Sequence, residues 1–407
     1  MENTKSSLIF FQNFINFPRN IKKFRGGEIM KKHSDAPVMN DDRTLRITGE
    51  ILTENIPFAP FGRQAAETIF DIMLRAAAGA DSIENTCKTL QDAPSGKTVR
   101  THLEQYGSVT DMEVHMNRAL QARLPPRVRD NRQPLAVDYN KLPYYGDPSY
   151  EEMPYVCKGK AESGTTRFYV YATLYVIRKG KRVTVALIIV RPDDTYVAVI
   201  TRLLDKIASL NIKIKCLYAD KGFFNVPVIR WLKALGITFV IPVVIRGKKG
   251  GTRQLVRDKK TRKTTYTMES AEYGTVTFDV WIVSVYSKGK YGKHGTAAFA
   301  YAVNNIGIGL RGIFKDYRKR FGIETSYRLK NLCRIRTTIK NPAVRLLFVG
   351  LSFIIVNLWV YILWEYVSYP RKGGRLICRV LFPLKQMLIF LRMAVGRKYK
   401  TVNSIWL

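Results

Sequence analysis

Acidic residues, histidine and cysteine are all scarce in this chain of 407 residues, and each shortage closes off a class of protein. Five cysteines (Cys87, Cys157, Cys216, Cys333, Cys378) form no CxxC pair and are odd in number. That argues against a disulfide framework and for a reducing compartment. Four histidines (His33, His102, His115, His294) show no ligand spacing, so a zinc centre is not expected. The apolar run 8–17 is interrupted by Gln12, Asn13 and Asn16 and is followed by no small-residue cleavage site, so it does not read as a secretory leader. Only 32 Asp and Glu stand against 67 Lys and Arg. With so few carboxylates available, those that follow apolar strands stand out.

What is present is positive charge, a net +35 spread over every segment. Such a field favours a polyanion, nucleic acid first and an anionic membrane surface second. The length allows two or three domains. Residues 1–45 are basic, polar and aperiodic, and disorder is expected there, with Met30 or Met39 as alternative starts. Residues 46–125 have helical spacing. A helix over 63–79 stops at Gly79, one over 81–91 starts on Asp81, and after the turn DAPSG comes a basic amphipathic helix over 97–106. This is the pattern of a helix-turn-helix, with Lys97, Arg100 and Thr101 facing DNA; a plain helical bundle is the other reading. A helix over 110–124 and the Pro- and Arg-rich linker PPRVRDNRQP follow.

From 134 the pattern changes to strands. A short apolar run, in PLAVDYN (134–140), ends in Asp138 and predicts a strand with the aspartate at its carboxyl end. Two long β-branched runs, 166–180 and 181–194, predict an antiparallel hairpin. A helix over 194–210, a strand over 212–220 ending in Asp220, a helix over 225–236 and a strand over 237–245 complete a mixed α/β unit. If the two aspartate strands are adjacent and parallel, both carboxylates lie at one sheet edge, where open α/β sheets place their sites. Residues 246–304 form a β-rich insertion whose basic loop offers Lys248, Lys249 and Arg253 to phosphate. The run 346–364 carries no charge and is long enough to span a membrane. Ser352 and Asn357 inside it favour a buried core helix. Trp231, Phe223 and Phe224 are expected in the core, and the basic tail 367–407 should be helical at 380–393.

The stretch 311–335 is predicted to be one helix. At about 100° per residue, Tyr317, Arg320, Glu324, Arg328 and Asn331 share a face, beside an apolar stripe of Phe314, Phe321, Leu332 and Ile335. Arg320 suits a phosphate through its planar fork of donors, or a salt bridge to Glu324 one turn away. Three converging acids, Asp138, Asp220 and Glu324, could hold two Mg²⁺ ions, with Mn²⁺ as substitute, for phosphodiester chemistry. Asp147, Glu151, Glu152, Asp193 and Asp194 are rivals in loop-like stretches and rank below these three.

Three of these segments carry a family resemblance. YADKGFFN (218–225) resembles the second-aspartate motif of insertion-sequence DDE transposases. YRKRFGIETSYRLK (317–330) resembles their Y-(2)-R-(3)-E-(6)-K signature, and LAVDYN (135–140) resembles their first-aspartate strand. The resemblance covers roughly 134–366. One departure is clear: Asn331 stands where the signature has Lys. Lys330 comes one residue early, and Arg328 on the same face could supply the cation instead. The resemblance implies an RNase H-like catalytic domain in two parts, 134–245 and 305–366, split by the insertion. It implies binding of terminal inverted repeats, two-metal cleavage at the element's ends, and joining of the 3′-hydroxyls to target DNA by a dimer or larger complex. Tyr317, Arg320 and the signature's lysine, for which Lys330 is the nearest candidate, would contact DNA near the scissile phosphate. No small-molecule substrate is implied, and the expected location is cytoplasmic, on the nucleoid of a prokaryote. The competing readings are an RNase H-like nuclease without strand transfer, a catalytically dead DNA-binding relative, and a membrane-anchored protein.

Overall fold

The strand and helix periodicities lead directly to the elements. In this computed structural model, which describes residues 38–57, 65–248, 250–288, 294–371, 374–377 and 379–404, helices come first. They are α1 (Asp41–Asn55), α2 (Ala66–Gly79), α3 (Ile83–Lys88), α4 (Gly96–Glu104) and α5 (Val109–Ala122). Asn40, Ser82, Ser95 and Ser108 cap α1, α3, α4 and α5 by accepting a main-chain N–H of the first turn, which satisfies one of the helix's orphan donors.

Next come β1 (Gln133–Pro143), β2 (Val156–Glu162), β3 (Thr165–Val176), β4 (Val183–Ile189), α6 (Tyr196–Ala208), β5 (Ile214–Tyr218), α7 (Val226–Ala234) and β6 (Phe239–Pro242). β1 pairs antiparallel with β3 and parallel with β5; β3 pairs antiparallel with β4 and β5 parallel with β6. The order β4-β3-β1-β5-β6, with α6 and α7 as crossovers, is an RNase H-like sheet. β1, which carries Asp138, and β5, which leads to Asp220, are adjacent and parallel, so the condition for bringing the two carboxylates to one sheet edge is met. Phe223 and Phe224 are buried, and Trp231 is partly so.

The insertion is no separate block. Its strands β7 (Arg262–Ser270), β8 (Gly274–Lys288) and β9 (His294–Asn304) extend the same sheet, because β9 pairs antiparallel with β6. Lys248 and Arg253 are exposed on the loop before it; Lys249 lies outside the described residues.

The stretch expected as one helix is broken into α8 (Ile313–Tyr317), a 3₁₀ segment (Arg318–Phe321) and α9 (Gly322–Asn331). A 3₁₀ turn advances about 120° per residue against about 100° for an α-helix, so four residues rotate the face by roughly 80°. The expected stripe is corrected accordingly. Phe321 and Leu332 are exposed, Ile335 is buried, and Ile313, Tyr317 and Ile323 take the core positions.

The uncharged run is α10 (Pro342–Glu365), buried along almost its whole length against α5, α9 and β4. Its apolar surface is used inside the fold. At Gly350 a side chain would collide with Met116 of α5, so the two helices approach through that glycine. Ser352 hydroxyl donates to the Cys333 carbonyl just past α9 at 2.9 Å. Asn357 accepts from Thr184 N–H and donates to Thr184 C=O, at 2.9 and 2.7 Å. The two polar residues of the run thus tie α10 to its neighbours, which is how buried polar groups are retained.

After the short ribbon β10 (Ser368–Arg371) and β11 (Gly374–Ile377), α11 (Leu384–Lys398) returns to the N-terminal helices. Arg397 pairs with Asp41 and Asp42, Lys398 with Glu67 and Asp71, and Lys400 with Asp92. The basic tail is therefore built into the helical region, and its helix, Leu384–Lys398, starts and ends later than the expected 380–393. Residues 40–407 cluster as one unit. The expectation of disorder over 1–45 falls mainly outside the described residues, but Asp41–Leu45 belong to α1.

Candidate active site

The site forms where β1 loses a neighbour. Its parallel pairing with β5 ends at Ala136–Tyr218, while pairing with β3 continues to Pro143. Asp138 is two residues beyond the first point and Asp220 two residues beyond its partner. Asp138 is thus within its strand rather than at its end. Asp220 caps the single 3₁₀ turn Lys221–Phe223 by accepting Lys221 N–H at 2.6 Å.

Glu324, in the first turn of α9, comes to Asp138 through Arg320. One guanidinium nitrogen lies 3.1 Å from Asp138 Oδ2 and the other 3.3 Å from Glu324 Oε1. Arg320 is only 5% exposed. The 3₁₀ segment that carries it turns it inward, so the two acids share one cation. Burial pushes the Asp138 carboxyl up to about 6 against the pull of Arg320. The nearby Asp220 adds to the rise, and the N–H of Tyr139, 2.9 Å from Oδ1, opposes it. Among the described residues no three acidic, cysteine or histidine side chains are close enough to hold an ion as they stand. In donor chemistry the set still fits a hard divalent cation: the donors are all carboxylate oxygens, and two of them already converge on one positive group.

Several expected DNA contacts are corrected. Tyr317 is buried, with its hydroxyl donating to the Ala219 carbonyl at 3.2 Å. It fixes α8 against the residue preceding Asp220. Lys330 is fully buried, and its Nζ donates to Asn140 Oδ1 at 2.8 Å. Burial, with Arg334 assisting, pushes its ammonium down to about 7. The one-residue offset from the signature position turns it into the core. Arg100 is held by Glu84 of α3 at 2.6 Å; Lys97 and Arg328 are exposed. Of the rival acids, Glu152 is buried and accepts from Tyr144 and Tyr169 hydroxyls. Asp147 pairs with Arg167 and Asp194 with Arg202; Glu151 and Asp193 are exposed.

Beside Asp220 opens a cleft of about 670 Å³. Lys221, Arg318 and Arg320 supply its charge, and Phe299, Phe314 and Phe321 its apolar wall. Sequence reasoning gave no sign of the wall residue Phe299, contributed by the insertion, nor of Tyr327, whose hydroxyl reaches the Asp138 carbonyl at 3.1 Å. A tyrosine in an amphipathic helix looks like any core residue.

An RNase H-like sheet with one aspartate within β1, a second just past the adjacent parallel strand β5 and a glutamate on α9 is an arrangement suited to a DDE-type nucleic-acid-processing enzyme. The sequence profile of the transposase DDE domain matches residues 132–358. This is more than half of the chain, which therefore belongs to the DDE transposases, enzymes that cleave and transfer DNA with divalent metal ions. Its partner is DNA. The fold is similar to that of the piggyBac transposase in a cryo-EM synaptic complex with hairpin DNA, at a TM-score of 0.51 and 11% identity. The similarity covers 91% of this chain and 84% of that one. No curated protein sequence matches the chain.

Proposed function

We propose that this transposase binds the terminal inverted repeats of its insertion sequence, cleaves the DNA ends and joins the 3′-hydroxyls to target DNA. Asp138, Asp220 and Glu324 are the catalytic carboxylates in this reading. The observation that supports it best is the Arg320 bridge between Asp138 and Glu324 beside Asp220, since acids from three distant segments are otherwise unlikely neighbours in so basic a chain. The three would hold two Mg²⁺ ions, with Mn²⁺ as substitute. When bound, the ions supply activation of the attacking oxygen and stabilisation of the leaving one. Arg320, once freed from the carboxylates, presents a planar pair of donors to a phosphate. Lys221 and Arg318 line the cleft and neutralise the DNA backbone there, and its aromatic wall accepts a base face. Lys97 on α4, Arg328, Lys248 and Arg253 are exposed cations for more distant backbone contacts. The working form is a dimer or larger complex assembled on DNA, in the cytoplasm of a prokaryote.

The test uses the full chain, an end-sequence duplex, target DNA and Mg²⁺. Asp138→Asn is expected to abolish cleavage, by a thousandfold or more in order of magnitude, while end binding is retained. Equal cleavage by variant and wild type would remove Asp138 from the site. Joined products establish transfer; cleavage alone reduces the enzyme to a nuclease.

A further inference from the structure

Beyond Ala136, β1 has no ladder partner on the side of β5. The segment that carries Asp138 is therefore held by β3 alone, in a part of the sheet where small displacements would change the distance to Glu324. Tyr327 lies three residues after Glu324 on α9. Its hydroxyl donates to the Asp138 main-chain carbonyl at 3.1 Å and meets Thr173 Oγ1 at 2.7 Å. With the tyrosine proton given to the carbonyl, the Thr173 hydroxyl donates to the tyrosine oxygen. Thr173 is the residue of β3 that stands opposite Asp138 in register, and it is fully buried. The tyrosine ring is held in turn by Phe353 of α10, edge to face with centroids 6.0 Å apart. One turn further along, Lys330 binds Asn140, the next residue of β1 on the Asp138 face. Helix and strand are thus joined at successive rungs, and the rung at Tyr327 lies at the aspartate itself.

We propose that Tyr327 is a positioning residue for the reaction: its hydroxyl, braced by Thr173, sets the separation between the Asp138 strand and the Glu324 helix, and so the affinity of the carboxylates for divalent metal. This rests on the assignment of Asp138 and Glu324 as metal-holding carboxylates. Tyr327 touches neither DNA nor metal in this role. It acts through the main chain of Asp138, as groups that orient metal ligands do, and such groups are typically worth roughly 10–100-fold in metal affinity or activity.

The experiment measures binding of Mn²⁺ alone to the full chain, by electron paramagnetic resonance, together with cleavage across a metal titration and the melting temperature. Tyr327→Phe removes only the hydroxyl. Its Mn²⁺ affinity is expected to fall roughly tenfold, and its cleavage to be low at limiting metal and largely recovered at saturating metal. Thr173→Val, nearly isosteric, is expected to shift the same curve by a smaller factor, and it keeps the question answerable if the tyrosine variant folds poorly. A purely structural role would lower cleavage in proportion to folded protein at every metal concentration; that result overturns the proposal, as does Mn²⁺ affinity equal to wild type in both variants. Asp138→Asn serves as the reference. If it loses metal binding and cleavage while Tyr327→Phe loses neither, only the positioning role fails. If Asp138→Asn itself retains both, the carboxylate assignment fails and takes the positioning role with it.

Discussion

Two stretches of strand that lack a neighbour on one side, the outer edge of β4 and the end of β1, are treated in opposite ways. Along the outer edge of β4, the α5 residues Glu113, Asn117 and Gln121 sit one helical turn apart. Glu113 accepts Ile189 N–H, Asn117 both accepts from and donates to Leu187, and Gln121 donates to the Val185 carbonyl. Asn357 of α10 does for Thr184 what Asn117 does for Leu187. The amides of Asn117, Gln121 and Asn357, with the Glu113 carboxylate that Arg202 holds at 2.8 Å, imitate a missing strand there, and every bond is internal. Along β1 beyond Ala136, by contrast, two acids share a guanidinium that could serve a phosphate instead. A reciprocal amide pair has nothing to exchange with, so it locks an edge. A charge bridge can trade partners, so it suits a site that must open to a substrate.

The contrast can be broken from either side. The largest effect is expected at the locked edge. Asn117→Leu leaves the buried N–H and C=O of Leu187 without partners, at about 1–3 kcal/mol for each group, or about 4 kcal/mol in all. Chemical denaturation would measure it, and a loss under about 1 kcal/mol would show that the amide ladder contributes little. A smaller effect belongs to Lys330, whose folded-state pKa is lowered. The unfolded chain binds more protons than the folded one between about pH 7 and 10, so wild-type stability gains over that window, and below it the gain is absent. The stability of Lys330→Met relative to wild type is therefore expected to decline by about 3–4 kcal/mol from pH 7 to pH 10. A pH-independent difference would mean that the lysine is not held near neutrality. The smallest effect is at the exchangeable bridge. Arg320→Gln removes the resident cation, and Mn²⁺ is expected to bind the DNA-free protein roughly tenfold more tightly, about 1.4 kcal/mol. Weaker Mn²⁺ binding by the variant would mean that the guanidinium supports metal binding rather than competing with it.

Much of the sheet was legible in the sequence, because its long apolar and β-branched runs can hardly be anything but buried strands. The two aspartates were legible for the same reason, each following such a run in a chain poor in acids. The break in 311–335 was not. RKRFG is compatible with a continuous helix, and only tertiary contacts tighten it into the 3₁₀ segment that turns Arg320 inward. Local pattern could not place Lys330 either: its burial depends on Asn140, nearly two hundred positions away on another element. Nor did the basic composition of the last residues reveal their docking on α1 and α2. Charge reads as an affinity for an external polyanion until the internal acids that neutralise it are located.

That docking bears on the order in which the molecule can be assembled. The N-terminal helices are made before the catalytic sheet, yet one of their covering faces, α11, is made after it. Until then the apolar surface between α1, α2 and α11 stays open, and Asp71, buried in the finished protein, lacks Lys398 and Tyr399. Completion of this region waits for the synthesis of α11, so a chain cut short before α11 would retain all three acids and still lack a closed N-terminal half.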